Sequence, residues 1–285
     1  MRIRVTSALT VERLGRVLDR RELGSRKART LLALLAAERG RLVQVDRIVE
    51  ALWPGAPPRN PPANVATLAS RLRRLLGTDV VTSVGRGYGL LEGTAWVVDL
   101  DEANALCDEA TARLADGELG VAAAAARRAL SLLGTDTALA DQDEARWVLG
   151  VRLETDGLRR RARHLLSRAA ATFDGAEAVQ VATQAVEADP YDERALRDLM
   201  RSLAADGRTS AALAAYDGLA ARLRDDLGTD PDPSTDAVRL AILRGEPLPE
   251  DRTRPSPRPR PALLGREDEL GVLDAAWRQA CSGRG

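Results

Sequence analysis

The chain has 285 residues, with 42 basic side chains balanced by 42 acidic ones, a single histidine and two cysteines. That length suits two domains, and 45% apolar with 29% charged residues suits a folded soluble chain rather than a disordered one. No run approaches the ~18 consecutive apolar residues of a membrane span and the N-terminus lacks a secretory apolar core; Cys107 and Cys281 cannot build a disulfide framework or a multi-cysteine zinc site, and any catalytic triad would have to use His164.

The expectation is therefore a cytoplasmic protein that is not an enzyme and carries no metal or cofactor. Net zero charge argues against a nucleic-acid binder only if the charge is evenly spread, and it is not. Residues 1–93 carry a net +9, residues 94–250 a net −11, and residues 251–285 a net +2. A basic head on an acidic body points to a polyanion-binding module joined to something else. Only Lys27 among the basic residues is a lysine. The arginine bias suits phosphate and guanine edges, although a GC-rich genome accounts for most of it.

In chain order, residues 2–5 alternate as a strand, and short strands are predicted around 9–13 and 16–18 with Gly15 at the turn. Ser25 is a plausible N-cap for a helix through Ala28, Leu31, Leu32, Leu34 and Leu35 to about Glu38, ended by Gly40. Asp46 is expected to cap a shorter helix through Ile48, Val49, Leu52 and Trp53. The segment 54–62 contains five prolines and reads as a loop. A third helix is predicted over 63–76 with Gly77 as its stop, followed by a hairpin of strands 80–84 and 88–91 around Gly85-Arg86-Gly87.

From about residue 99 the spacing turns helical, with segments near 101–116, 118–133, 141–172, 174–188, 192–206 and 209–227. Small residues at Ala182, Ala185, Ala212 and Ala215 fall where paired helices would pack closely, a loose match to tetratricopeptide-like repeats of ~34 residues. A last helix is predicted after Asp230-Pro231-Asp232-Pro233-Ser234, to about Arg244. The stretch 247–261 holds six prolines and reads as an extended linker. An amphipathic helix with Leu270, Leu273 and Trp277 follows, with no core of its own to join, as if the chain were cut off there.

The third helix is the most informative segment. Val65, Leu68, Leu72 and Leu75 form one buried stripe, while Asn64, Thr67, Arg71 and Arg74 fall on a neighbouring stripe and would face outward together. Such a face can enter the major groove, where Arg chelates guanine, Asn pairs with adenine and the Thr methyl meets thymine. Alone, Arg71-Leu72-Arg73-Arg74 reads first as the solvated side of an amphipathic helix. The hairpin with Arg86 at its tip shifts that balance, because a wing beside a recognition helix can place an arginine in the minor groove. Arg26 and Lys27, at the start of the first helix, could add phosphate contacts, with a simple capped helix end equally open. His164, within Arg159-Arg160-Arg161-Ala162-Arg163-His164, reads as part of a solvated helix face, with a partner or DNA-backbone contact as the alternative. Cys107 reads as core, and Trp96 and Trp147 as packing anchors.

Taken together, Lys27 to Leu35, Val45-Asp46-Arg47-Ile48, Ala51-Leu52-Trp53, Val65 to Gly77 and Gly87-Tyr88 resemble the OmpR-type winged helix. Residues 96–244, from Val98-Asp99-Leu100-Asp101 through Asp189-Pro190-Tyr191-Asp192-Glu193 to Asp226-Leu227-Gly228-Thr229-Asp230-Pro231 and Ile242-Leu243-Arg244-Gly245, look like the bacterial transcriptional activator domain. The pair in this order is similar to the antibiotic-regulatory activators of actinobacteria, the SARP family. The resemblance implies a mainly α chain: a winged helix-turn-helix of α+β type (1–93), an all-α tetratricopeptide-like activator domain (96–246), a linker (247–262) and the start of an NTPase domain (263–285) whose P-loop is absent from the sequence.

It also implies activation of biosynthetic gene clusters through direct repeats near the −35 region, two protomers side by side on double-stranded DNA, and recruitment of RNA polymerase and sigma factor. By the same resemblance Thr67 and Arg71 would lie in the major groove, Asn64 and Arg73 on phosphates, and Arg86 in the wing. Trp53, Pro54, Gly55, Pro57, Arg59 and Asn60 would belong to a loop facing polymerase. The proline content of that loop, and Ser70 at a position often basic in such winged helices, depart from the pattern. Outside this resemblance, a helical-repeat scaffold whose winged helix binds protein is the second reading. A regulatory fragment of an ATPase is the third.

Overall fold

The computed structural model describes residues 1–18, 20–78, 80–90 and 96–249. The remaining linker residues from 250, the amphipathic segment with Leu270, Leu273 and Trp277, Cys281, and the expected NTPase start lie outside the described residues. The chain begins with a hairpin sheet, β1 (Arg2–Arg4), β2 (Thr10–Arg13) and β3 (Arg16–Leu18). Leu14 and Gly15 both take positive φ, 52° and 76°, as a two-residue turn between twisted strands requires. Helix α1 (Arg26–Glu38) starts where Ser25 caps it, its hydroxyl accepting from Ala28 N at 3.3 Å.

Strand β4 (Val43–Gln44) leads into α2 (Val45–Leu52), which begins one residue before Asp46; that carboxylate sits in the first turn rather than at the cap. Helix α3 (Pro61–Leu76) starts earlier than the proline count suggests. Pro61 and Pro62 occupy its first two positions, where the missing N–H would have had no helical acceptor and the fixed φ is already helical. The wing is β5 (Val81–Val84) with β6 (Gly87–Leu90), and β6 pairs with β4 on its other edge.

Two-residue strand β7 (Val97–Val98) runs parallel to β1, completing a sheet of order β3-β2-β1-β7. Neither β4 nor β7 has a local signature; each exists because a distant strand supplies the hydrogen bonds. Among the described residues seven helices follow: α4 (Asp99–Ala115), α5 (Leu119–Leu133), α6 (Arg146–Ala170), α7 (Gly175–Ala188), α8 (Glu193–Ala205), α9 (Thr209–Arg222) and α10 (Pro233–Arg244), with a turn of π-helix at Leu223–Leu227 after α9. Each of α4 to α9 packs on its sequence neighbour, the arrangement of a helical-repeat body.

The predicted helix over 141–172 begins only at Arg146, because residues 138–145 form a loop that grips the head. Leu139 N donates to Val5 O and Ser7 O at 3.0 and 2.7 Å, and Asp141 accepts from Leu9 N at 2.9 Å. Asp99, fully buried at the start of α4, accepts from Val5 N (2.9 Å), Thr6 N (3.2 Å) and the Thr6 hydroxyl (2.6 Å). The core follows the same joint. One cluster runs from Ile3 through α1–α3 to Leu166 and Val181, and a second, smaller one is built around Leu196, Met200, Tyr216 and Val238.

Cys107 is buried in the first cluster, and burial pushes its thiol above the usual range. Trp96 and Trp147 pack against that cluster as expected. His164 corrects the sequence reading. It is 7% exposed and pairs through Nδ1 with Asp198 of α8, itself 4% exposed. Two of the four arginines in the run around it are also committed. Arg159 donates to the carbonyls of Leu133 (2.8 Å), Gly134 (2.9 Å) and Asp136 (2.5 Å), closing the C-terminus of α5, and Arg161 reaches Asp108 at 2.8 Å. Long side chains on a helix find carbonyls and carboxylates of neighbouring helices before they find solvent.

The second core contains a titrating hydroxyl. Tyr216 is 8% exposed and donates to Asp236, and burial followed by that hydrogen bond pushes its phenol up to about 12. An unfolded tyrosine titrates near ~10. The stabilisation is therefore complete below pH ~10 and is lost as the pH rises through about 12; the loss is of order 1–3 kcal/mol. Urea melts of the chain from pH 8 to 12 are expected to show this decline, and Tyr216→Phe is expected to flatten it.

Candidate nucleic-acid interface

Helix α3 owes its position to Val65, Leu68, Ala69, Leu72 and Leu76, all buried. Its opposite face carries Asn64, Thr67, Arg71 and Arg74, all exposed, with Ala66 and Ser70 between them. All four thus sit on the stripe that the periodicity predicted, and two of them make local contacts that shape what they offer. The Asn64 amide donates to Asn60 O at 2.8 Å, leaving its oxygen available. The Thr67 hydroxyl donates to Ala63 O at 2.9 Å, so its methyl is the free part. Arg71 has no hydrogen bond or ion pair among the described residues, and neither has Arg74.

Arg73 is half-buried and does something else. Its Nε donates to Val81 O at 2.7 Å and its Nη2 to Ser83 Oγ at 3.0 Å. Both acceptors lie on β5, so Arg73 pins the wing to α3 rather than offering a free cation. A second tie holds the end of α3, where Arg13 donates to Leu75 O at 2.9 Å. The wing turn is Gly85-Arg86, with positive φ at Gly85 alone (55°), the type II′ pattern. Gly89 is needed for closeness rather than for φ: a Cβ there would lie 2.9 Å from Arg41 O. Arg86 is exposed at the tip with no side-chain partner among the described residues, and Val84 beside it is 60% exposed. Val84 was missed in the sequence; its only signal is a β-branched residue at the tip of a hairpin that has a glycine turn.

The cations at the start of α1 also depart from expectation. Arg26 pairs with Asp143. Lys27 donates to Leu52 O and lies 5.8 Å from the centroid of the Trp53 ring. Neither is a free phosphate ligand in this structure; the acidic body and the C-terminus of α2 have taken them. More of the head's positive charge is consumed at the joint, by Arg2–Glu102 (3.0 Å), Arg20–Asp141 (3.5 Å) and Arg39 with Asp101 (2.8 Å) and Glu154 (2.6 Å). Arg59, Arg71, Arg74 and Arg86 are among the head's cations without an ion pair among the described residues. They sit on α3, on the loop before it and on the wing. The acidic body thus neutralises much of the joint side of the head and none of these four cations on the α3 side.

In the α2–α3 loop, Pro54, Gly55, Pro57 and Arg59 are exposed. Trp53 is half-buried against the core, and Asn60 caps α3 by accepting from Ala63 N at 3.3 Å. These two residues fix the ends of the loop, and its exposed surface is the segment between them.

The family profile described as "Transcriptional regulatory protein, C terminal" matches residues 19–90, and that described as "Bacterial transcriptional activator domain" matches residues 98–243. The chain belongs to the SARP family of transcriptional regulators. It is similar to the regulatory protein AfsR of Streptomyces coelicolor, 35% identical over 227 residues, which cover 79% of this chain and 22% of AfsR. It is also similar to the regulatory protein DnrI of Streptomyces peucetius, 29% identical over 247 residues, covering 78% of this chain and 86% of DnrI. The SARP chain thus spans about a fifth of the length of AfsR. Among solved structures, Mycobacterium tuberculosis EmbR in complex with a low-affinity phosphopeptide superimposes with a TM-score of 0.79 at 26% identity, over 87% of this chain and 66% of EmbR. The SARP chain is thus a winged helix followed by a helical activator domain, and among the described residues no helix is long and apolar enough to cross a membrane.

Proposed function

We propose that this SARP chain is a sequence-specific activator that binds direct repeats at promoters of biosynthetic gene clusters and recruits RNA polymerase. The observation that carries the reading is the exposed α3 face, where Asn64, Thr67, Arg71 and Arg74 stand together beside a wing held in place by Arg73. A helix of this kind reads base edges while the wing reaches the adjacent minor groove. Tandem repeats call for two protomers in the same orientation, side by side. The exposed loop from Pro54 to Arg59 precedes α3 directly and is the surface offered to polymerase and sigma factor.

The test uses the full chain and two duplexes of equal length, one carrying the tandem repeats of a candidate promoter and one with the repeats scrambled. Binding at physiological salt is expected to favour the repeats by ~10³-fold or more, with a steep loss of affinity as salt rises. Transcription from the repeat-bearing template should rise in step with occupancy. Equal affinity for both duplexes would overturn the reading and leave the scaffold alternative in its place.

A further inference from the structure

Between the head and the body lies a cleft of about 960 Å³, walled by α1 and α2 on one side and by the start of α6 on the other. Leu34, Ala51, Val151 and the half-buried Trp147 give it an apolar lining. Most of its charges are already paired: Arg47 with Glu38, Arg39 with Glu154 at 2.6 Å, and Arg152 with Glu144 at 3.7 Å. Arg41 and Arg146 are not. Both line the cleft, both are exposed, and neither side chain has a hydrogen bond or ion pair among the described residues. Glu50 is the lining carboxylate without a cation among those residues.

Two further donors mark the same place. Arg39 Nη1 and the Trp147 indole N–H are buried and have no protein acceptor, whereas buried donors are nearly always satisfied. Arg39 is also one of few non-glycine residues at positive φ, 33°, a conformation that costs energy and persists where the surroundings hold it. It is held by Asp101 of α4 and Glu154 of α6. Free cations and orphaned donors outnumber free acceptors around an apolar wall at a domain junction, which is where ligand pockets tend to form.

We infer that this cleft binds a small organic acid with a planar apolar body. Its carboxylate would lie between Arg41 and Arg146 and its body against Trp147, Val151 and Ala51. Glu50, on the α2 wall, would take a hydroxyl or amino donor of the ligand. A molecule held there touches both the root of the α2–α3 loop, through Ala51 and Pro54, and the first turn of the longest helix of the body. The site therefore gives the chain a small-molecule input that is separate from its DNA-reading face.

The test is calorimetric and contains no DNA, so its outcome is independent of the proposed function. The full chain is titrated with 2-naphthoate and with its neutral isostere 2-naphthamide. The acid is expected to bind saturably at one site, at least tenfold tighter than the amide. The variant Arg41→Gln/Arg146→Gln is expected to reduce binding of the acid to the level of the amide, and Trp147→Phe to weaken both. Arg168→Gln, on an exposed turn near the other end of α6, should change nothing. Circular dichroism establishes that each variant is folded. Absence of saturable binding up to millimolar 2-naphthoate, or equal binding to the wild type and the double variant, would overturn the assignment.

Discussion

Replacing Arg71 with alanine is expected to lower affinity for a repeat-bearing duplex by 10- to 100-fold and to bring it close to the affinity for scrambled DNA. Arg71 is exposed in the middle of the α3 face and has no internal partner among the described residues, so truncating it costs the fold nothing. A bidentate arginine–guanine contact is worth about 1–3 kcal/mol of discrimination, which sets the size of the effect. Arg73→Gln is expected to behave differently. It releases Val81 O and Ser83 Oγ and lets the wing move relative to α3, so repeat and scrambled duplexes should both weaken. Fluorescence anisotropy on the two duplexes at several salt concentrations separates the cases. An Arg71→Ala protein that keeps full preference for the repeats would remove α3 from the recognition role.

The second large effect is expected at Asp99. Its carboxylate is fully buried and satisfies three donors of the segment that follows β1. Hydrogen bonds to a charged acceptor contribute more than neutral ones, and each buried donor left without a partner costs about 1–3 kcal/mol. Asp99→Ala is therefore expected to destabilise the chain by roughly 3–5 kcal/mol, a fall in melting temperature of about 10 °C for a chain of this size. Thr6→Val removes the hydroxyl contacts to Asp99 at 2.6 Å and to Leu132 O at 3.1 Å, leaves both backbone donors paired, and is expected to cost about a third as much. Because head and body share one core cluster, calorimetry should show them melting together in both variants. Two separated transitions would contradict the shared core.

Much of this arrangement is written in local sequence. The cap at Ser25, the exposed stripe of α3, the glycine turn of the wing and the succession of body helices follow from spacing and turn chemistry. What could not be read depends on partners far away in the chain. Strands β4 and β7 are two residues long and exist only through β6 and β1. The loop before α6 has helical composition but is held open by Val5, Ser7 and Leu9. Arg26, Lys27, Arg73 and His164 have the composition of a solvated surface, yet each meets an acceptor supplied by another element. Arginine and histidine are the residues for which local pattern says least, because their long or two-sided side chains reach whichever acceptor the tertiary fold brings near.

The joint also governs the order in which the protein can assemble on the ribosome. Val5 is separated from Asp99 by 94 residues, and Leu9 from Asp141 by 132. At roughly 5–20 residues per second, strand β1 emerges some 5–20 seconds before its parallel partner and its buried acceptor exist. During that interval its edge is open and the backbone donors at Val5 and Thr6 have only water. A piece cut after residue 93 would be left permanently in that state, with β1 lacking β7. The basic head is first in the chain and yet its opening sheet is completed by residues that follow it, so the nascent protein closes that sheet only after synthesis has entered the body.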